Sequence, residues 1–201
     1  MNLFDPDNHP NLLVGNSVVE LHSDFFNRDE SERYFKALLD QIPWEHDEVI
    51  LFGKRIVTAR KMAWYASDAI PYSYSNTTKD ALPWNPILSE IKARIESLTN
   101  EQFNACLLNL YHDGTEGMGW HSDDEKSIVP RSTIVSVSFG ATRKFVFKNK
   151  KDATQVALMV ASGSVLLMKG DTQKEWNHAL MKSTKVKSPR INLTFRQMIE
   201  K

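Results

Sequence analysis

Apolar positions recur along this chain with two different periods, and the period changes near residue 100. Before that point the three-to-four residue spacing of an amphipathic helix occurs twice. Over residues 28–41, Tyr34, Leu38 and Leu39 make one apolar face, Asn27 can cap the segment with Glu30 reaching back, and Pro43 helps to end it. A second helix begins at Asn85, with Pro86 in the first helical position and Leu88, Ile91, Ile95 and Leu98 in one core stripe. Between the helices, residues 48–60 place β-branched side chains on both sides of Gly53, which predicts a hairpin with Phe52, Gly53 and Lys54 near its tip. An aromatic there has little core to pack against, so Phe52 either folds back onto the body or serves a partner. Tyr72 and Tyr74, flanking Ser73, share a face if their segment is extended.

After Thr99 the period shortens to two. Residues 103–111, 133–139, 144–148, 156–160, 165–168 and 190–198 are short β-rich runs separated by Gly, Asp, Asn or Lys turns. Many short strands without intervening helices point to a sandwich or jelly roll. The expectation is one α+β domain over 1–201, mainly β, with a loose arm over about 1–20 and a catalytic core over about 100–198. In the last run Arg190, Asn192, Thr194 and Arg196 share one parity, and Ile191, Leu193 and Phe195 the other. A solvent-facing edge gives that pattern, and so does a carboxylate-binding face built on arginine. Asn109 and Tyr111 likewise share a parity, opposite Leu108 and Leu110.

Charge narrows the picture. The 25 Lys and Arg balance 25 Asp and Glu, so any attraction to a polyanion is local. Two clusters qualify, Arg143, Lys144, Lys148, Lys150 and Lys151, and Lys54, Arg55, Arg60 and Lys61; each is also readable as a solvated face. The single cysteine, Cys106, excludes an intramolecular disulfide framework and lies in an apolar run as a small hydrophobe. With no leader-like start and no membrane-length apolar segment, the expectation is a monomeric intracellular protein, cytoplasmic or, in a eukaryote, nuclear, without a membrane partner.

The chemistry centres on residues 109–125. His121 and Asp123 are one residue apart, so in extended chain both face one side and can share a metal. Alone, the pair is equally a polar turn bonded to backbone. A third imidazole, for which His178 is the candidate, completes a two-histidine, one-carboxylate set that leaves positions open and favours non-haem Fe(II).

Asn109-Leu-Tyr111, Asp113-Gly114, His121-Ser-Asp123-Asp124-Glu125, Ser136-Val-Ser138-Phe-Gly140, His178 and Arg190-Ile-Asn192-Leu-Thr194-Phe-Arg196 follow one another as in the AlkB-like Fe(II)- and 2-oxoglutarate-dependent dioxygenases, which the chain resembles from about Glu48 to Met198. Phe52-Gly53-Lys54, Tyr72-Ser73-Tyr74 and Asp124-Glu125 resemble the substrate-contacting motifs of the branch that repairs alkylated double-stranded DNA, with tyrosine at 74 where vertebrate members carry phenylalanine. The resemblance implies a double-stranded β-helix with the N-terminal helices packed outside and iron on His121, Asp123 and His178. It further implies 2-oxoglutarate on Asn109, Tyr111, Arg190, Asn192, Thr194 and Arg196, and O2 as co-substrate. The implied reaction hydroxylates an N-alkyl carbon of a base, releasing formaldehyde, succinate and CO2. A base in a duplex must be flipped out to react, and Phe52 is then a wedge while Tyr72, Tyr74 and His121 line the pocket. Arg190 and Arg196 stand roughly 20 Å apart along an ideal strand, so Arg190 is expected to take the distal carboxylate. The same chemistry on RNA or single-stranded DNA, and a non-catalytic jelly-roll binding module, are the rival readings.

Overall fold

A computed structural model describes residues 10–51, 54–67, 70–74 and 77–199, with the side chains of 49–51, 54–56, 72–74, 77 and 78 outside that description. The elements are β1 (Ser17–His22), α1 (Arg28–Gln41), β2 (Glu45–Leu51), β3 (Lys54–Ala66), β4 (Tyr72–Tyr74), β5 (Thr77–Lys79), α2 (Pro86–Thr99), β6 (Ala105–Tyr111), β7 (Met118–His121), β8 (Ile134–Gly140), β9 (Arg143–Asn149), β10 (Gln155–Val160), β11 (Val165–Gly170), α3 (Thr172–Glu175), β12 (Trp176–Leu180) and β13 (Arg190–Arg196). Local chemistry accounts for both long helices. Asn27 and Glu30 form a reciprocal capping box on α1. Asn85 accepts from Leu88 N to start α2, and Asn100, at φ 54°, ends it in the left-handed region that asparagine tolerates.

The strands form a seven-stranded antiparallel sheet, β1-β11-β8-β13-β6-β3-β2, and a four-stranded sheet, β10-β9-β12-β7; β4 pairs with β5 separately. Helices α1 and α2 cover the outer face of the large sheet, where Tyr34, Leu38, Leu88 and Ile91 pack on Leu108, Val137, Leu193 and Phe195. The inner face meets the small sheet through Trp64, Leu107, Met168, Phe147 and Trp176. Strands covered on both faces read as unbroken apolar runs, which explains why all of β6 is buried. This is the jelly roll with external helices that the sequence predicts.

In three places the structure corrects, adds to or decides between the expectations. The loose arm stops short of residue 20, because Ser17–His22 pair in register with β11 at the sheet edge. Two strands that carry no clear alternation, β7 and β12, complete the small sheet. Strand β13 is the middle strand of seven rather than an edge, so its polar face looks into the jelly roll and not at solvent. The hairpin at residues 45–66 is present, with Leu51 paired to Lys54; its tip residues, Phe52 and Gly53, lie outside the described residues.

Candidate metal centre and co-substrate cavity

His121 closes β7 and pairs directly with His178 in the middle of β12. Directly opposed residues of an antiparallel pair share a face, so both rings enter the space between the sheets. Asp123 reaches the same space from the loop just after β7, and the ligand atoms of all three lie within 4.8 Å of one another. The two Nε2 atoms are 3.1 Å apart, and His178 Nε2 is 3.9 Å from Asp123 Oδ2.

The surrounding bonds prepare these groups as ligands. His121 Nδ1 lies 2.8 Å from the Gly119 carbonyl, which can only accept, so Nδ1 carries the proton and Nε2 presents its lone pair. Arg196 Nη2 donates to Asp123 Oδ1 at 2.6 Å, leaving Oδ2 toward His178, and Asp123 N donates to Gln173 Oε1 at 2.9 Å. Burial, and then the neighbouring His121, push the His178 pKa down to about 3, so its imidazole is neutral. Burial opposes ionisation of Asp123, but Arg196, His178 and His121 outweigh it and hold the carboxyl below its usual range. Two imidazoles and a carboxylate on one side of a cavity fit a divalent ion with positions left open.

Behind the ligands, Asn109, Tyr111, Arg190, Asn192, Thr194 and Arg196 line the same cavity. Arg190 is 1% exposed; Nη2 donates to Ser138 Oγ at 2.8 Å, while Nε and Nη1 are buried without a hydrogen-bond partner among the described residues. Burial lowers its pKa to about 10, which leaves it cationic at neutral pH, and its guanidinium stands 5.6 Å from the Tyr111 ring centre. A sealed arginine with unmet donors fits a carboxylate, and so fits 2-oxoglutarate.

The six cavity residues are not equivalent. Arg196, at the other end of β13, is bonded to the metal ligand Asp123 and so orients it. Asn192 commits its amide nitrogen to Ser136 Oγ and Val137 O, both at 2.8 Å, which ties β13 to β8. Asn109 accepts from Arg60 Nε at 3.2 Å.

Of the residues expected at the substrate, Asp124 is exposed beside Lys150 at 3.8 Å, and Glu125 lines the approach to the metal with Asp47, Arg60 and Ser122. The backbones of Lys54, Tyr72, Ser73 and Tyr74 are strand, but their side chains lie outside the described residues. Both cationic clusters need correction, since Arg60 is largely buried and donates to Asp47 Oδ2 at 2.5 Å. Arg143 does not face phosphate: it is 1% exposed and donates to the carbonyls of Asp113, Gly114, Glu116 and Met181, pinning the loop before β7. The sequence reading also misses the Arg60–Asp47 pair, Ser138 as a partner of Arg190, and Gln173, whose only signal is the spatial register of distant strands.

A jelly roll with a two-histidine, one-carboxylate centre and a buried arginine behind it defines a non-haem iron oxygenase that uses a carboxylate co-substrate. The model of the 2OG-Fe(II) oxygenase superfamily matches residues 19–196, further toward the N-terminus than the motif resemblance reaches. The DNA oxidative demethylase ALKBH2 of Homo sapiens is 36% identical over 185 residues, covering 87% of this chain and 71% of that one. The alpha-ketoglutarate-dependent dioxygenase alkB homolog 3 of Homo sapiens is 35% identical over 193 residues, covering 91% and 67%. The solved structure of OsALKBH1 has the same fold, with a TM-score of 0.63 and 18% identity over 92% of this chain and 98% of that one. The chain therefore belongs to the 2OG-Fe(II) oxygenase superfamily as an AlkB-like member, an Fe(II)- and 2-oxoglutarate-dependent dioxygenase.

Proposed function

We propose that this protein reverses base damage directly, by oxidative demethylation of N-alkylated bases in DNA, with duplex DNA as the favoured substrate. The observation that carries the reading is the 36% identity to human DNA oxidative demethylase ALKBH2 across 87% of the chain. Iron, 2-oxoglutarate and O2 together supply the oxidation that hydroxylates the N-alkyl carbon, leaving succinate, CO2 and, from the unstable product, formaldehyde. His121, Asp123 and His178 hold the iron. Arg190 takes the distal carboxylate of 2-oxoglutarate, with Tyr111 beside it, and Asn109 and Thr194 face the end nearer the metal. No side chain need act as a strong base, so Asp124 and Glu125 contact substrate or order their loop.

A base must leave the stack to reach a centre this enclosed, at a cost of a few kcal/mol. Phe52 at the hairpin tip fills the gap, while Tyr72 and Tyr74 stack on the extruded base. Lys148, whose ammonium lies over the Trp120 ring at 5.6 Å, supports this reading as a cation available to flanking phosphate. Among the described residues no helix is long and apolar enough to cross a membrane, and a monomer in the compartment that holds DNA goes with this reading.

Phe52→Ala tests the substrate. Losing a stacking contact worth roughly 1–3 kcal/mol is expected to slow demethylation of a double-stranded methylated oligonucleotide by about tenfold while the single-stranded rate holds. Equal rates for both proteins on the duplex would point to RNA or single-stranded DNA instead.

A further inference from the structure

We propose that Asp47 and Arg60 are positioning residues that fix the amide of Asn109, so that its NH2 rather than its oxygen faces 2-oxoglutarate; this rests on the reading that Asn109 touches that co-substrate. Arg60, on β3, donates through Nη2 to Asp47 Oδ2 at 2.5 Å and through Nε to Asn109 Oδ1 at 3.2 Å. The Arg60 and Asp47 side chains are only 12% and 9% exposed and line the approach to His121 and Asp123.

The orientation follows from donor chemistry. A guanidinium has five N–H donors and no acceptor, so the Asn109 atom that meets it must be the carbonyl oxygen. The NH2 then points away from Arg60, and Asn109 also lines the cavity that holds Arg190 and His178. The two ends of an amide are nearly the same size. Without Arg60 the group can turn over and set an oxygen against a carboxylate, which only accepts. Asn192 has no comparable freedom to help, because its nitrogen is already committed to β8.

Arg60 is delivered by a local irregularity. Between the pairs His46–Lys61 and Glu48–Val57, the single β2 residue Asp47 faces Thr58, Ala59 and Arg60, so the bulge lies on β3 and carries Arg60; opposite it Asp47 is buried while His46 is exposed. Bulges re-aim side chains and are over-represented beside active sites. A buried ion pair is weak evidence for stability, since its desolvation offsets much of its attraction. What this pair adds is direction: one branch of the fork is held by Asp47, and the other holds Asn109. Because β2 and β3 are the hairpin that carries Phe52, the pair also ties that hairpin to the co-substrate cavity.

The test is calorimetric titration of the Mn(II)-loaded protein with 2-oxoglutarate, which reads binding without turnover. Arg60→Met is expected to raise the Kd about tenfold with Mn(II) affinity unchanged, by analogy with other residues that orient a ligand-contacting group. Asp47→Asn, which changes no volume, is expected to raise it by a smaller factor, and it carries the test if the methionine variant does not fold. Added to Asn109→Ala, Arg60→Met is expected to cause no further loss, because it acts through that amide. Losses that multiply in the double variant, or an unmoved Kd in both Arg60→Met and Asp47→Asn, overturn the inference provided Arg190→Ala weakens binding. If Arg190→Ala also leaves the Kd unmoved, the co-substrate assignment itself falls, and the inference with it.

Discussion

On β13, Ile191, Leu193 and Phe195 are completely buried beneath the helices, and Arg190 and Arg196, on the opposite face of the same strand, are only 1% and 2% exposed. The two faces differ in what burial has accomplished. The apolar face is packed ring on ring: Phe195 meets Phe103 edge-on and Trp84 in a stack, both at 6.3 Å. The cavity face retains Arg190 Nε and Nη1 and His178 Nδ1 without hydrogen-bond partners among the described residues. Depth therefore says little about role. An unmet donor held in place marks the face kept for a ligand, because each such group costs stability until something binds it.

The sharpest break between the faces is expected at His178. His178→Ala removes one of three metal ligands, so turnover should fall to background and iron should no longer copurify, while the far-UV circular dichroism stays that of the parent. Iron retention with near-parental activity would dismiss the assigned triad. Phe195→Ala should do the reverse on the helix side, lowering unfolding free energy by roughly 3–5 kcal/mol in urea melts, with any protein that remains folded still binding metal.

Arg190→Met joins the two effects in one residue. It should raise the 2-oxoglutarate requirement about tenfold or more, yet stabilise the ligand-free protein by about 1 kcal/mol, since it removes a buried charge that lacks a carboxylate. A lower urea midpoint would mean that Ser138 and the Tyr111 ring already compensate the guanidinium. A further effect is one of pH on the metal-free protein. His178 is pushed down to about 3 when folded but titrates near 6.5 when unfolded. Below 6.5 the unfolded chain takes up a proton that the folded one refuses, so this contribution is full above 6.5 and declines toward pH 3. The slope is at most about 1.4 kcal/mol per pH unit. Asp123, held below its ordinary range, acts in the same direction at the acid end. A flat profile between pH 6.5 and 5 would place the proton elsewhere.

The parts legible in the sequence are those written within a few neighbouring residues. Asn27 with Glu30, and Asn85 with Pro86, set the two helix starts where the structure has them. The spacing of His121 and Asp123 and the polar parity of β13 likewise survive into three dimensions. What is not legible is pairing between distant strands. Trp176–Leu180 lacks a strand-like alternation of polar and apolar residues, so β12 emerges only when β9 and β7 flank it. Arg60 and Arg143 look like surface cations in a string of letters; the fold points one at Asp47 and Asn109 and the other at four carbonyls. Arg196 lines the co-substrate cavity as its parity suggests, but its bond to Asp123 follows only from register.

The small sheet holds its two imidazoles unequally: His178 stands on an inner strand between β9 and β7, stacked against Phe145 at 5.3 Å, whereas His121 ends the edge strand. Residues 121 and 178 are 57 apart in sequence, so an ion gripped by both closes a long chain loop, much as a disulfide would, and withdraws conformations mainly from the unfolded ensemble. It also clamps the one strand of that pair with a free side. Loading with metal should therefore slow amide exchange in β7 more than in β12, which makes the reactive centre a removable rivet of the fold as well as the seat of its chemistry.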